Sequence, residues 1–192
     1  GVPGTSSAIP IDFLDVAGSV CGSLLPTGNV VDHVNGVDVT CIDNGMPVVI
    51  MRAADFGKTC HETPEELEAD AEFKARIEAI RLAISPKMNL GDVTKKTVPK
   101  MSLVAAPHAG GAISTRTLIP HRVHDAIGVF GAVSVATACL LPGSVAADVA
   151  KLNAPGPQQR IEVEHPTHSI TRGRHVAGQT AWRKVERLEL LG

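Results

Sequence analysis

The apolar residues of this chain change rhythm along its length. Up to Met51 they come as short runs separated by turn residues, the pattern of strands. The runs are Ile9–Leu14, Val30–Val34, Val37–Ile42 and Pro47–Met51. Asn35-Gly36 predicts a hairpin, because a two-residue turn of the favoured hand needs positive φ at both positions. Asp43-Asn44-Gly45-Met46-Pro47 predicts the next turn, ahead of a β-branched run suited to a buried strand. Between residues 55 and 85 the rhythm becomes helical. Leu67, Ala71, Phe73, Ile77, Ile80 and Ile84 recur at roughly that spacing. Thr63-Pro64-Glu65-Glu66 supplies an N-cap hydroxyl, a proline at the first helical position and a glutamate that completes a capping box. Glu68, Asp70, Glu72, Lys74, Arg76 and Glu78 then read as a solvated face, with no paired-carboxylate chemistry implied.

After a polar loop over residues 86–98, Lys100–Ala106 reads as a strand and Ala112–Leu118 as a second, on either side of Gly110-Gly111. A polar and basic run follows: Ser114, Thr115, Arg116, Thr117, His121, Arg122 and His124. Then comes an apolar segment rich in small residues, Ala126–Leu141, which predicts a buried helix ended by Pro142-Gly143. Ser144–Asn153 predicts another helix, Ile161–Val163 a strand, and Trp182–Leu191 a short amphipathic helix in a basic tail. Strands and helices in this mixture give an α+β class.

Composition narrows the function. Aromatic residues make up 3% of 192 residues, with no Tyr and one Trp, so the core has to be aliphatic and base-stacking platforms are missing. A net charge of −2 without a long basic run argues against nucleic acid. The longest apolar segment is broken by Gly128, Gly131, Ser134 and Thr137 and is short for a bilayer, so no membrane partner is expected. Cys21, Cys41, Cys60 and Cys139 are widely spaced and contain no C-x-x-C pair; with no signal-peptide pattern, they predict a reducing, cytoplasmic setting. Eight histidines lack metal-ligand spacing, and no metal is expected.

Candidate chemistry gathers ahead of the apolar helix. Cations and hydroxyls placed before the positive end of a buried helix suit a ligand with carboxylates or phosphates. Arg116, His121, Arg122 and His124 therefore read as carboxylate binders, or equally as loop caps paired with neighbours such as Asp125. Thr27, Gly28 and Asn29 form a turn that could hold an oxyanion or be simply a turn. Asn44 offers amide donors at a strand end, or an Asx turn. Lys100, at the mouth of a strand, could pair with an acid, act as a base, or lie along the surface.

Taken together these stretches resemble a known family. Gly1-Val2-Pro3-Gly4-Thr5, Leu24-Leu25-Pro26-Thr27-Gly28-Asn29, Cys41–Val49, Thr63–Leu67, Pro99-Lys100-Met101 and Ser114–Ser144 are similar to the second half of the 4-oxalomesaconate tautomerase and methylaconitate isomerase (PrpF-type) proteins. The resemblance spans about residues 1–166, which gives a substrate-binding domain there and an atypical tail, disordered or outside the family pattern, over 167–192. It implies a diaminopimelate epimerase-like domain, with a curved mixed sheet wrapped around a central apolar helix from about Gly128 to Leu141. It implies a cofactor-independent 1,3-proton shift on an unsaturated tricarboxylate, with Thr27, Gly28, Asn29, Asn44, Lys100, Ser114, Arg116, His121 and His124 touching substrate. The proton-transfer Lys and Cys of the family belong to its first domain, so the catalytic residues of this chain are left unassigned. Its expected partner is that missing first domain or a second copy. The rival reading is a non-catalytic fragment or carboxylate-binding module.

Overall fold

The computed structural model describes residues 11–152, 158–166, 171–176 and 184–190. Among them lies one mixed sheet. Its strands are β1 (Ile11–Asp12), β2 (Asp32–Val34), β3 (Val37–Asp43), β4 (Pro47–Arg52), β5 (Lys100–Ala105), β6 (Ile113–Ile119), β7 (Arg122–Val123), β8 (Gln158–Glu164), β9 (Thr171–Val176) and β10 (Lys184–Leu190). The order across the sheet is β1-β10-β9-β8-β6-β5-β4-β3-β2, with β7 paired to the end of β6. β4–β5 and β6–β8 are parallel; the other neighbours are antiparallel. Among the described residues three α-helices accompany the sheet: α1 (Pro64–Ala69), α2 (Ala71–Ile84) and α3 (Val129–Cys139).

Alternation along the strands sorts the core into two layers. Val39, Cys41, Val49, Met51, Met101 and Leu103 face outward and pack with Leu67, Phe73, Ile77, Ile80 and Ile84 of α1 and α2. Ile42, Val48, Ile50, Val104, Ile113, Ile161 and Val163 face inward and pack with Ala132, Val133, Val135, Ala136 and Cys139 of α3. Aliphatic side chains therefore carry the burial that aromatic residues supply elsewhere, each fully buried Ile or Leu stabilising the fold by about 1.5–3 kcal/mol.

The sheet must curve. α3 approaches β3 and β4 and also β8, β9 and β10. Six strand spacings separate β3 from β10 in that order, about 29 Å if the sheet were flat, against a helix about 10–12 Å across. Only a sheet rolled around α3 brings both sets of strands to it. Small residues let it do so: all of Gly131 to Cys139 is buried.

Several expected elements come out differently. The helix expected within 55–85 is two helices, because Asp70 ends α1 and its carboxylate accepts the Phe73 N–H at 2.9 Å to start α2. The Thr63 capping box is present as expected. Ser144–Leu152 forms turns rather than a helix: Val145 N–H goes to Thr40 Oγ1 and Lys151 N–H to the Ala112 carbonyl, so tertiary partners take the amides a helix would use. Asn153 lies outside the described residues. Near the C-terminus, where a helix was expected over Trp182–Leu191, the backbone of Lys184–Leu190 is strand β10, paired with β9 across a bulge between Val185 and Arg187. Alternation in Leu188-Glu189-Leu190 suits a strand, and the bulge absorbs the Glu186-Arg187 interruption that imitates helical spacing. Of the expected tail over 167–192, β9 and β10 are described and the remainder lies outside the described residues. Of the first expected strand, Ile11–Asp12 is β1, and residues 9 and 10 lie outside the described residues.

Candidate functional site

One rim of the rolled sheet collects the starts of β4 and β5, the ends of β3 and β6, and the start of α3. Register fixes this: Asp43 pairs with Pro47, Val48 with Lys100, and Met101 with Leu118. The turn after β3 is tied to the middle and last turn of α3. Ser134 Oγ accepts the Asn44 N–H at 3.1 Å and donates to the Met46 carbonyl at 2.8 Å. Asn44 Nδ2 donates to Thr137 Oγ1 at 2.9 Å. Gly45 has φ +89°, and a Cβ on it would lie 2.4 Å from the Phe130 ring, so the turn can pass this close only as glycine.

α3 begins at Gly128 with no side-chain cap and no acidic residue in its first turn. The first intrahelical bond is Ala132 N–H to the Gly128 carbonyl at 2.9 Å. Among the described residues, the N–H groups of Val129, Phe130 and Gly131 have no acceptor. Uncompensated donors at the positive end of a helix favour an anion.

Two basic side chains stand on the same rim. Lys100 is partly buried, which pushes its pKa down, and its ammonium donates to the Thr97 carbonyl at 2.6 Å. His124 is partly buried, and its backbone N–H goes to the Thr117 carbonyl at 2.8 Å. Burial pushes the His124 pKa down, as do Lys100 and Arg122, against Asp125. The Lys100 contribution places its ammonium in the electrostatic neighbourhood of His124.

The other expected residues are placed elsewhere. Ser114 and Arg116 do not precede the helix; they lie buried within β6. Arg116 Nε donates to the Glu62 carbonyl at 2.6 Å and Nη1 to the Thr115 carbonyl at 2.8 Å. Ser114 joins a cluster that the sequence did not announce, centred on Glu164. That carboxylate accepts the Ser114 hydroxyl and the N–H groups of His108 (2.9 Å), Ala109 (2.8 Å) and Gly111 (2.8 Å). His108 Nδ1 lies 2.9 Å from Ser114 Oγ and 3.1 Å from Glu164, and its ring sits 4.2 Å from that of His61. Burial raises the Glu164 pKa, but the Ser114 hydroxyl and three amides outweigh it and hold the carboxyl at about 2. A signal was available: a Glu ending a strand of alternating pattern, ahead of which the chain carries the Gly-rich stretch Gly110-Gly111.

His121 is exposed, 4.0 Å from Glu78. Thr27, Gly28 and Asn29 run beside β3, between the Leu24 carbonyl, which accepts the Asp43 N–H, and the Val30 carbonyl, which accepts the Thr40 hydroxyl. Asn29 Nδ2 donates to Asp32 at 2.9 Å, and Gly28 supplies positive φ for the turn. The structure thus brings the turn at Asn44, Lys100, His124 and the start of α3 to one rim, with the Asn44 amide turned toward Thr137 in the last turn of α3, and leaves Ser114, Arg116 and His121 apart from them.

No thiol is poised for chemistry. Burial pushes Cys21, Cys60 and Cys139 up to about 12, and Cys41 higher still. Among the described residues, no group of three or more His, Cys, Asp or Glu could hold a metal ion, and no helix is long and apolar enough to cross a membrane.

A mixed sheet rolled around one apolar helix has a counterpart among known proteins. The family model described as PrpF protein matches residues 1–191. The chain belongs to the PrpF family. Two PrpF relatives illustrate the likeness. The (4E)-oxalomesaconate Delta-isomerase of Novosphingobium sp. (strain KA1) is 62% identical over 171 residues, covering 89% of this chain and 48% of that protein. The 4-oxalomesaconate tautomerase of Pseudomonas putida (strain KT2440) is 58% identical over 171 residues, covering 89% of this chain and 47% of that protein. The chain therefore spans about half the length of the curated relatives it matches. The crystal structure of methylitaconate-delta-isomerase superposes with a TM-score of 0.88 at 22% identity, covering 99% of this chain and 54% of that one, which shows a shared fold. The α+β sheet around a central helix is thus the PrpF architecture.

Proposed function

We propose that this chain is the carboxylate-holding half of an isomerase that shifts a proton across the allylic system of an unsaturated tricarboxylate such as 4-oxalomesaconate. The observation that carries the reading is the 62% and 58% identity to two proteins named for isomerisation or tautomerisation of oxalomesaconate. The rim is chemically suited to the task. Taking a carbon-bound proton from a polyanion builds a dienolate, and that added charge is the main cost in water. Fixed N–H groups at the start of α3 and the Lys100 ammonium offer donors where such charge develops. Thr27, Gly28 and Asn29 would complete the grip along β3. The reaction needs no electron transfer, so a redox cofactor has no part in this scheme.

The acid and base would come from the half that this chain does not span. Support comes from the thiols, all held protonated by burial, and from the Ser114–Glu164 cluster, whose groups are engaged with one another. The test has two parts. Tricarballylate titrated into the ¹⁵N-labelled chain is expected to shift the amide signals of Asn44–Met46, Lys100, His124 and Gly128–Gly131. No shift there would remove the carboxylate-binding role. On 4-oxalomesaconate the chain alone is expected to turn over little or nothing, and co-expression with the uncovered half of the Pseudomonas relative is expected to restore turnover. Rapid turnover by the chain alone would refute the assignment of acid and base to the other half.

A further inference from the structure

His124 has a feature that its residue type alone does not announce. Its ring nitrogen Nδ1 lies 3.0 Å from the backbone nitrogen of Ala126. A backbone amide can only donate, so Nδ1 must carry the lone pair. A neutral imidazole has one ring hydrogen, which then sits on Nε2. Protonating the ring at Nδ1 would mean losing the Ala126 bond and setting two N–H groups against each other. The backbone is pinned at both ends of the side chain's reach, by His124 N–H to the Thr117 carbonyl at 2.8 Å and by the Ala126 amide itself. The imidazole therefore has a fixed tautomer and a fixed place, four residues before the Gly128 cap of α3. Nε2 has no partner among the described residues, and the side chain is only partly buried.

We infer that His124 is a neutral hydrogen-bond donor that contacts the tricarboxylate through Nε2–H, beside the Lys100 ammonium. This rests on the proposed carboxylate-holding role of the rim and says how the rim is divided. Lys100 supplies net charge. His124 supplies a directed donor that brings no charge and, unlike an imidazolium, cannot neutralise the substrate by giving its proton away. A donor of this kind suits an oxygen that gains charge as the dienolate forms, because it stabilises that oxygen without quenching it. The surroundings agree. Burial, Lys100 and Arg122 all disfavour a cation here, and only the exposed Asp125 favours one. Glu68, across the β7 strand, is engaged with Val123 N–H and Lys74.

Two measurements test it. Imidazole ¹⁵N shifts of His124 in the free chain at pH 7.5 are expected to show an unprotonated Nδ1 and a protonated Nε2. A hydrogen on Nδ1 at that pH, in the other neutral tautomer or in an imidazolium, would overturn the inference whatever the chain binds. Tricarballylate affinity is then compared for wild type, His124→Gln and His124→Phe. Gln offers an amide donor close to the Nε2 position, and Phe offers none. The expected result is Gln within about 3-fold of wild type and Phe about 10-fold weaker, the usual effect of losing a hydrogen bond to a charged group. Equal affinity for Phe and wild type would sink the contact while leaving the rim's carboxylate role standing. No binding by wild type would bring down that role and this contact with it.

Discussion

The two ends of the β5–β6 pair make opposite use of polar residues. At the Ala105–Ser114 end, Glu164 gathers three amides and the Ser114 hydroxyl, Thr115 Oγ1 donates to the Glu164 carbonyl at 2.7 Å, and Ser114 and Glu164 are buried. Hydrogen-bonding capacity is used inside the protein. At the Lys100–Ile119 end, one Lys100 N–H meets the Thr97 carbonyl, and the first amides of α3 have no acceptor among the described residues. The first end is richer in striking residue types, with Ser, His and Glu in contact. The second is the better candidate for a ligand, because a site needs donors that are still unengaged.

The largest effect that this contrast predicts is at Glu164. Glu164→Ala leaves the Ser114 hydroxyl and three amides without their acceptor, and should lower unfolding stability by about 3–5 kcal/mol. Urea unfolding measures it, and a loss below about 1 kcal/mol would show that the cluster is not saturated as described. Acid should find the same group. The folded pKa lies at about 2, below the ordinary glutamate value of about 4.3. The stabilisation is therefore fully present above the unfolded value and is lost as pH falls through it toward 2, on the order of 3 kcal/mol in all. Glu164→Gln should flatten the stability profile in that window and leave it unchanged at higher pH slopes.

At the other end the largest stability effect belongs to Gly45. A methyl there combines positive φ with a clash against Phe130, so Gly45→Ala should cost about 2–3 kcal/mol. It should also weaken tricarballylate binding, because the turn carrying Asn44 is held against α3 through Ser134 and Thr137. An Ala variant with native stability and native affinity would mean that the turn has room to yield.

How much of this could be read in the sequence follows from the range of the forces involved. The hairpin at Asn35-Gly36, the Thr63 box and the buried helix ending before Pro142-Gly143 are set by neighbours within a few residues, and they appear as expected. Lys100, Asn44 and His124 could be named as candidates. Their convergence could not, because it depends on β4 and β5 pairing in parallel across a long excursion through α1 and α2. Ser114-Thr115-Arg116-Thr117 misleads for the same reason. A run of polar residues looks solvated until its tertiary partners are known: Glu164 for Ser114, the loop residue Glu62 for Arg116 and Ser102 for Thr117. The split of the 55–85 helix at Asp70 was hidden by a residue type that serves equally on a solvated face and at an N-cap.

Lys100 sharpens the contrast by separating affinity from stability. Its ammonium is partly buried and makes a single described bond, so Lys100→Met keeps the aliphatic stem and should change stability by less than about 1 kcal/mol. Affinity for tricarballylate should fall about 10-fold, as for a charge-assisted hydrogen bond. Isothermal titration calorimetry reads this directly, and a Met variant that binds as wild type would remove Lys100 from the rim's function.

Arg122 marks the weak limit of the same idea. It is exposed and faces Asp125 at 3.8 Å, with both side chains about three-quarters open to water. Solvent and salt screen such a pair, so Arg122→Ala should leave stability within about 0.5 kcal/mol of wild type. Its influence on a tricarboxylate would be through space alone. Affinity should drop less than about 3-fold at low salt, and the difference should vanish near physiological ionic strength, where the screening length is about 8 Å. The Lys100 effect should persist there, because a direct contact in a partly buried place is screened far less. If instead both effects disappeared together on adding salt, the rim would be attracting polyacids by its general field, and the distinction between engaged and unengaged donors would no longer explain where they bind.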